Sequence, residues 1–291
     1  MTAVAVIGLG AMGSRIAMRL LDAHHQVIVW NRTPGRAEQL VGRGAVAATN
    51  PADAARRAEV VITMVSDPQA LRDVTEGEDG VAAGAGPSVT VIEMSTVGPE
   101  AVERLAEALP QDAHLIDAPV LGSVSEAESG SLMVFLGGPR EIAERWTPLL
   151  STLGSVKYLG PLGAGAAAKL VANTTLFGVL GVLGEAIALG RGLGLEREAI
   201  FEVLATTPLA AQAERRRAAI EQDDFPRRFA LALARKDLGL IAEAAAASGV
   251  DLRLCNAGMT WFDDADEAGS GDRDYSAVLA HIAGSHRNDK K

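Results

Sequence analysis

The chain has 291 residues, 48% hydrophobic and 22% charged, with 27 Lys and Arg against 37 Asp and Glu for a formal net charge of −10. That length suggests about two domains and a core large enough to need no covalent staple, and the composition argues against intrinsic disorder and fibrous repeats. The acidic balance argues against tracking a nucleic-acid backbone, and the single cysteine, Cys255, allows neither an internal disulfide nor a thiolate zinc cage.

Residues 1–7 lack the basic run of a signal peptide. The longest nearly uncharged stretch, 170–183, is shorter than the roughly 20 apolar residues of a membrane span, and it is expected as a buried helix. A soluble, cytoplasmic protein with no membrane and no nucleic-acid partner is expected.

Residues 4–7 form a short β-branched apolar run that predicts a buried parallel strand. Gly8-Leu9-Gly10-Ala11-Met12-Gly13 follows at once, then a helix over 14–21 and a strand over 27–30, which together make a βαβ unit. The alternation continues with a helix over 34–43, strands over 60–65 and 89–94, a helix over 99–109 and a strand over 114–116. A strand over 131–136 and a helix over 139–150 close this half. Such alternation predicts an α/β fold with a doubly wound, mostly parallel sheet. Beyond Gly160-Pro161-Leu162-Gly163 the pattern is helical: 164–192, 197–205, 209–221, 231–248, 252–265 and 276–283. The expected domains are therefore a Rossmann dinucleotide-binding unit over 1–162 and an all-helical unit over 163–291. The polar, basic tail 285–291 is expected to be loosely ordered.

The glycine pattern at 8–13 gains its meaning from its place, between an apolar strand and a helix N-terminus. Gly8 permits the turn, Gly10 lets the backbone approach a pyrophosphate, and Gly13 lets helix and strand pack closely. An NAD-binding unit places Asp or Glu after the second strand to bond the ribose 2′-hydroxyl. Here Trp30-Asn31-Arg32-Thr33 stands there, with Arg36 just beyond. Neutral Asn31 does not repel a 2′-phosphate, Arg32 can fork onto it and Thr33 can donate a hydroxyl, so NADP is the expected cofactor. Trp30 is expected to pack.

Lys169 and Asn173 are four apart and share one helix face. Lys169 sits in a run of Ala, Leu and Val, an expensive place for an ammonium unless it has work or a partner. Desolvation lowers a lysine pKa toward physiological pH, which suits a general acid that protonates a carbonyl oxygen and a base in reverse. Asn173 can hold the substrate oxygen or the lysine head. The bland alternative is a lysine that snorkels to the helix surface. Ser95 and Thr96 end a strand at the edge where such sheets bind ligands, and are expected at the nicotinamide or its ribose, with helix capping before Pro99 as the alternative.

These motifs together resemble the β-hydroxyacid dehydrogenase family, which includes 3-hydroxyisobutyrate dehydrogenases and glyoxylate/succinic semialdehyde reductases. The resemblance runs through Gly-Leu-Gly-x-Met-Gly at 8–13, Met-Val-Ser-Asp at 64–67, Met-Ser-Thr at 94–96 and Asp-Ala-Pro-Val at 117–120. It continues through Gly-x-Gly-x-x-x-Lys-x-x-x-Asn at 163–173, Lys-Asp-Leu at 236–238 and Asp-x-Ser-Ala-Val at 274–278. It implies that Leu9, Ala11, Met12, Met64, Val65 and Ser66 join the cofactor site, with Ser95 also near the substrate. It also implies that Gly122 and Ser123 bind a substrate carboxylate, although Pro-Val-Leu-Gly-Ser replaces the family's usual Pro-Val-Ser-Gly-Gly. Lys236 resembles a second family lysine that approaches the nicotinamide; an ion pair with Asp237 is the alternative.

Gly178, Gly181 and Gly184 recur at helical spacing and permit close packing, either within the chain or in a homodimer or higher homo-oligomer, as the resemblance implies. The five histidines lack metal-ligand spacing, so no metal is expected. Arg215-Arg216-Arg217 reads as a solvated helix face, and Cys255 as a small packing residue. The expected activity is NADPH-dependent interconversion of a short carboxylate-bearing aldehyde or ketone and its hydroxy acid, at a cleft between the domains. An imine reductase on the same scaffold, which typically lacks this lysine, and a non-catalytic dinucleotide-binding protein are the rivals.

Overall fold

The β-branched runs read from the sequence become strands of one sheet, nine-stranded among the residues that the computed structural model describes, 1–33 and 35–284. The expected helix start at Pro34 and the tail 285–291 lie outside the described residues. The strands are β1 Ala3–Ile7, β2 Gln26–Trp30, β3 Val46–Ala47, β4 Val60–Thr63, β5 Thr90–Glu93, β6 His114–Asp117, β7 Val120–Leu121, β8 Leu132–Gly137 and β9 Gly154–Gly160. Their order is β3-β2-β1-β4-β5-β6-β8-β7, with β9 paired to β8. Pairing is parallel from β3 through β6; β8 runs antiparallel to β6 and β7 and parallel to β9. Winding reverses between β1 and β4, and ligands of such sheets bind outside the strand C-termini at that reversal.

Alternate residues of each strand feed opposite faces, as a period of two requires. Val4, Val6, Val27, Val29 and Ile62 join one apolar cluster, while Ala5, Ile7, Ile28, Val61 and Val91 join the other. Both faces are therefore covered, which explains why these strands read as continuous apolar runs. Trp30 packs against the second cluster, as expected.

Contacts divide the chain into Met1–Leu170 and a second unit that starts at Val171. The second unit contains the helices Arg197–Leu204, Ala210–Gln222, Leu231–Ala247, Arg253–Ala265 and Val278–Gly284, together with most of the long helix Ala164–Gly192. Phe177 meets Phe262 and Tyr275 edge-on, with ring centroids 5.5 and 6.3 Å apart.

Three expectations need correction. The helix placed over 34–43 is only Glu38–Val41, because Gly35 turns at φ +87° and Gly42 already ends it. Strand β9 was not expected; it lies at the sheet margin with partly exposed residues that include Lys157 and Tyr158. The long helix is not buried all round. Phe177, Leu180, Leu183 and Ile187 are buried, but Val171, Val182 and Leu189 are exposed. It is also long and apolar enough to cross a membrane by length and composition alone.

Candidate active site

The glycine turn is fixed by contacts that tolerate no side chain. Gly8 has φ +96° and donates its N–H to the Trp30 carbonyl at 3.0 Å. A Cβ on Gly8 would lie 2.3 Å from the Met64 carbonyl oxygen, and one on Gly13 would lie 1.9 Å from that of Gly8. A Cβ on Gly10 meets nothing within 4 Å, so this side of the turn is open. The helix Ala11–Asp22 starts there with no side-chain cap and no acid in its first turn. Its first N–H groups and positive dipole end therefore suit a pyrophosphate.

Asn31 has a role that its sequence position only half suggested. Its Oδ1 accepts from the Leu9 N–H at 2.9 Å, and its Nδ2 donates to the Thr33 carbonyl at 3.0 Å. The side chain thus ties the glycine turn to the loop after β2, while Leu9 itself is buried. Arg32 is 77% exposed and pairs loosely with Asp73 at 3.6 Å. Arg36 lines a groove of about 320 Å³ with Ser14, Arg15, Met18 and Arg19.

At the ends of β4 and β5 the backbone is tied by side chains. The Met64 N–H donates to the Ile7 carbonyl, and the Val65 N–H donates to Ser95 Oγ at 2.8 Å. Ser66 donates to Asp67 at 2.6 Å, and Asp67 caps the helix Pro68–Thr75 through the Ala70 N–H. Ser95 and Thr96 do not cap the helix Pro99–Ala108, whose N-cap is Gly98 at φ +80°.

Glu93, a residue given no role from sequence, organises this edge. Its carboxyl accepts from the Thr63 hydroxyl and, at 2.6 Å, from the Ser95 N–H. It is 1% exposed, and burial pushes its pKa up to about 7, with Asp117 across the strand register adding in the same direction. Asp117 accepts from the Gly163 N–H at 2.9 Å and the Ala166 N–H at 2.6 Å, so it anchors the start of the long helix. Burial raises its pKa against the pull of those donors.

Gly122 turns at φ +135°, and Ser123 begins the helix Val124–Ser129. Both the N–H and the hydroxyl of Ser123 go to Glu126 Oε2, at 2.7 and 2.8 Å. These donors hold the Glu126 pKa down to about 2. The segment expected to receive a carboxylate therefore already carries one, and Leu121 beside it is exposed.

Lys169 and Asn173 stand one turn apart on the long helix, Lys169 half-buried and Asn173 2% exposed. Asn173 Nδ2 donates to Asp237 Oδ2 at 2.7 Å, and Lys236 Nζ lies 2.5 Å from Asp237 Oδ1. The ion pair weighed for Lys236 is present, but Asp237 is 1% exposed and no surface charge. A carboxylate only accepts, so it fixes which way the Asn173 amide faces. Asp237 was missed as a functional residue because adjacent Lys and Asp read as a solvated pair.

Other expectations divide. The arginine run is not a uniform solvated face: Arg215 is exposed, but Arg216 is buried over Tyr275 and donates to its hydroxyl at 2.9 Å, and Arg217 pairs with Glu198 and Glu221. Of the glycine stripe, Gly184 packs within the chain, where a Cβ would lie 2.7 Å from Ile282, whereas Gly178 and Gly181 meet nothing within 4 Å. Cys255 is a half-buried free thiol whose pKa burial raises. Among the described residues no group of three His, Cys, Asp or Glu side chains is placed to hold a metal ion.

Comparison with known proteins identifies the family. Residues 3–161 match the NAD-binding domain of 6-phosphogluconate dehydrogenase, and 163–282 match the NAD-binding family of NADP-dependent 3-hydroxyisobutyrate dehydrogenase. The chain is 34% identical to the 3-sulfolactaldehyde reductase of Escherichia coli (strain K12) over 288 residues, covering 97% of this chain and 96% of that one. It is 30% identical to glyoxylate/succinic semialdehyde reductase 1 of Arabidopsis thaliana over 285 residues, covering 96% and 98%. Among solved structures, Mycobacterium tuberculosis 3-hydroxyisobutyrate dehydrogenase with L-serine superposes with a TM-score of 0.87 at 28% identity, covering 97% and 99%. An imine reductase from Pseudomonas sp., at 23% identity and a TM-score of 0.62, shares the fold alone. The chain is an oxidoreductase that belongs to the β-hydroxyacid dehydrogenase family.

Proposed function

We propose that the chain is an NADPH-dependent reductase of short carboxylate-bearing aldehydes or ketones, acting in reverse as a hydroxyacid dehydrogenase. The observation that carries this reading is the pair Lys169 and Asn173 on one helix face, with the Asn173 amide oriented by buried Asp237. The names of the aligned reductases support the substrate class.

The residues that fit the coenzyme are Gly8, Gly10 and Gly13, the first turn from Ala11, and the loop with Arg32, Thr33 and Arg36 for a 2′-phosphate. When bound, the nicotinamide supplies or accepts the hydride. Lys169 gives a proton from Nζ to the substrate oxygen as the carbonyl π pair collects there, and in the oxidative direction takes it back. Asn173 orients that oxygen. Ser95 and Thr96 meet the nicotinamide or its ribose, and the family resemblance supports a role for Lys236 toward the nicotinamide. The substrate carboxylate meets Gly122 and Ser123 in competition with Glu126. Lysine at 169 speaks against the imine-reductase reading. The exposed face with Val171, Val182 and Leu189 supports pairing with a second copy of the chain.

The test is NADPH oxidation with glyoxylate, succinic semialdehyde, methylmalonate semialdehyde and bulkier keto acids. Turnover with at least one carboxylate-bearing carbonyl is expected. NADPH binding without oxidation across the panel would leave a non-catalytic dinucleotide-binding protein.

A further inference from the structure

Glu93 closes an apolar strand in which Val91 and Ile92 are fully buried. Among the described residues no Lys, Arg or His forms an ion pair with it. Burying a carboxyl without a cation costs stability, so its place calls for a return elsewhere. Both of its oxygens are spent on the ends of two adjacent strands. One takes the hydroxyl of Thr63, the last residue of β4, and the other the N–H of Ser95, just past β5. Ser95 Oγ in turn accepts from the Val65 N–H. These bonds form a closed circuit from Thr63 through Glu93 and Ser95 to Val65. It fixes the path of both strand-end loops, beside the glycine turn that Met64 abuts.

We propose that Glu93 is a positioning residue for the coenzyme, holding the Val65 and Ser95 loops in the shape that receives its nicotinamide end. This rests on the reading that Ser95 and Thr96 face that end. Glu93 touches neither coenzyme nor substrate; it acts through Ser95.

The test uses the whole 291-residue chain with Glu93→Gln, Glu93→Ala and Thr63→Val, measuring by protein-fluorescence titration the affinity for NADPH and for a coenzyme fragment without the nicotinamide riboside. A glutamine keeps an acceptor for the Ser95 N–H and a group that bonds the Thr63 hydroxyl, so its NADPH affinity stays within about threefold of wild type. Alanine breaks the circuit and weakens NADPH about tenfold or more, the scale of a lost buried hydrogen bond. Affinity for a coenzyme fragment without the nicotinamide riboside stays unchanged. Should Glu93→Ala fail to fold, Thr63→Val carries the test, with a smaller loss confined to whole NADPH. A folded Glu93→Ala or Thr63→Val variant with wild-type NADPH affinity, or one that loses the fragment equally, overturns the proposal. Wild-type protein that binds NADPH no better than the fragment instead brings down the underlying reading of Ser95 and Thr96.

Discussion

The side-chain amide of Asn173 donates to the carboxylate of Asp237 across 2.7 Å, joining the long helix to the helix Leu231–Ala247 between two buried residues. That bond settles the orientation of a residue assigned to the substrate oxygen. Asp237→Asn keeps the shape but can present a donor where Asn173 needs an acceptor, so the amide turns or the bond is lost. We expect kcat to fall about 10- to 100-fold, the equivalent of 1–3 kcal/mol for an unsatisfied buried group. Steady-state kinetics checks this, and an unchanged kcat would remove Asp237 from the account.

Coenzyme choice is assigned to Arg32, which is exposed and held only loosely by Asp73. Arg32→Ala should raise KM for NADPH about tenfold or more, consistent with losing a charge-assisted hydrogen bond, and leave KM for NADH nearly unchanged. Equal effects on both coenzymes would contradict the assignment to a 2′-phosphate.

Glu126, with a pKa of about 2, carries its charge beside Ser123, which the proposed function assigns to the substrate carboxylate. Glu126→Gln preserves the helix start, because glutamine serves equally at that position of a capping box, and it removes a like charge. KM for a carboxylate substrate should fall about threefold, as expected for a mostly solvated charge pair. A rise in KM would place the carboxylate elsewhere.

Glu93 makes stability depend on pH. Its folded pKa of about 7 lies above its ordinary 4.5. Between those values the folded chain binds more protons than the unfolded one, so stability falls as pH rises through that window and stays lower above it. Asp117, which faces Glu93 from β6 with its own pKa raised, contributes in the same sense. Glu93→Gln removes the Glu93 share. Its stability relative to wild type should therefore grow by about 3 kcal/mol from pH 4 to pH 8, on the scale of 1.36 kcal/mol per pKa unit. Urea denaturation at the two pH values measures it, and parallel behaviour of variant and wild type would contradict it.

Much of this architecture was legible because buried parallel strands leave continuous apolar runs. The glycine turn could be read because Gly8 and Gly13 have no room for a Cβ. Two-residue strands such as β3 and β7 leave no periodicity to find, and the sheet-margin strand β9 mixes exposed with partly buried residues. Asp237 and Arg216 were misjudged because side-chain burial is decided by helices distant in sequence. Glu93 did leave a signal: acids end two neighbouring strands, Thr90–Glu93 and His114–Asp117, at matching register.

Proton donation by Lys169 is measured in the turnover of Lys169→Met with a carboxylate-bearing aldehyde, beside its NADPH affinity. If Lys169 is the proton donor, kcat falls by about 100- to 10,000-fold, the usual worth of a positioned general acid, with NADPH bound as in wild type. Near-full turnover in that variant would contradict it.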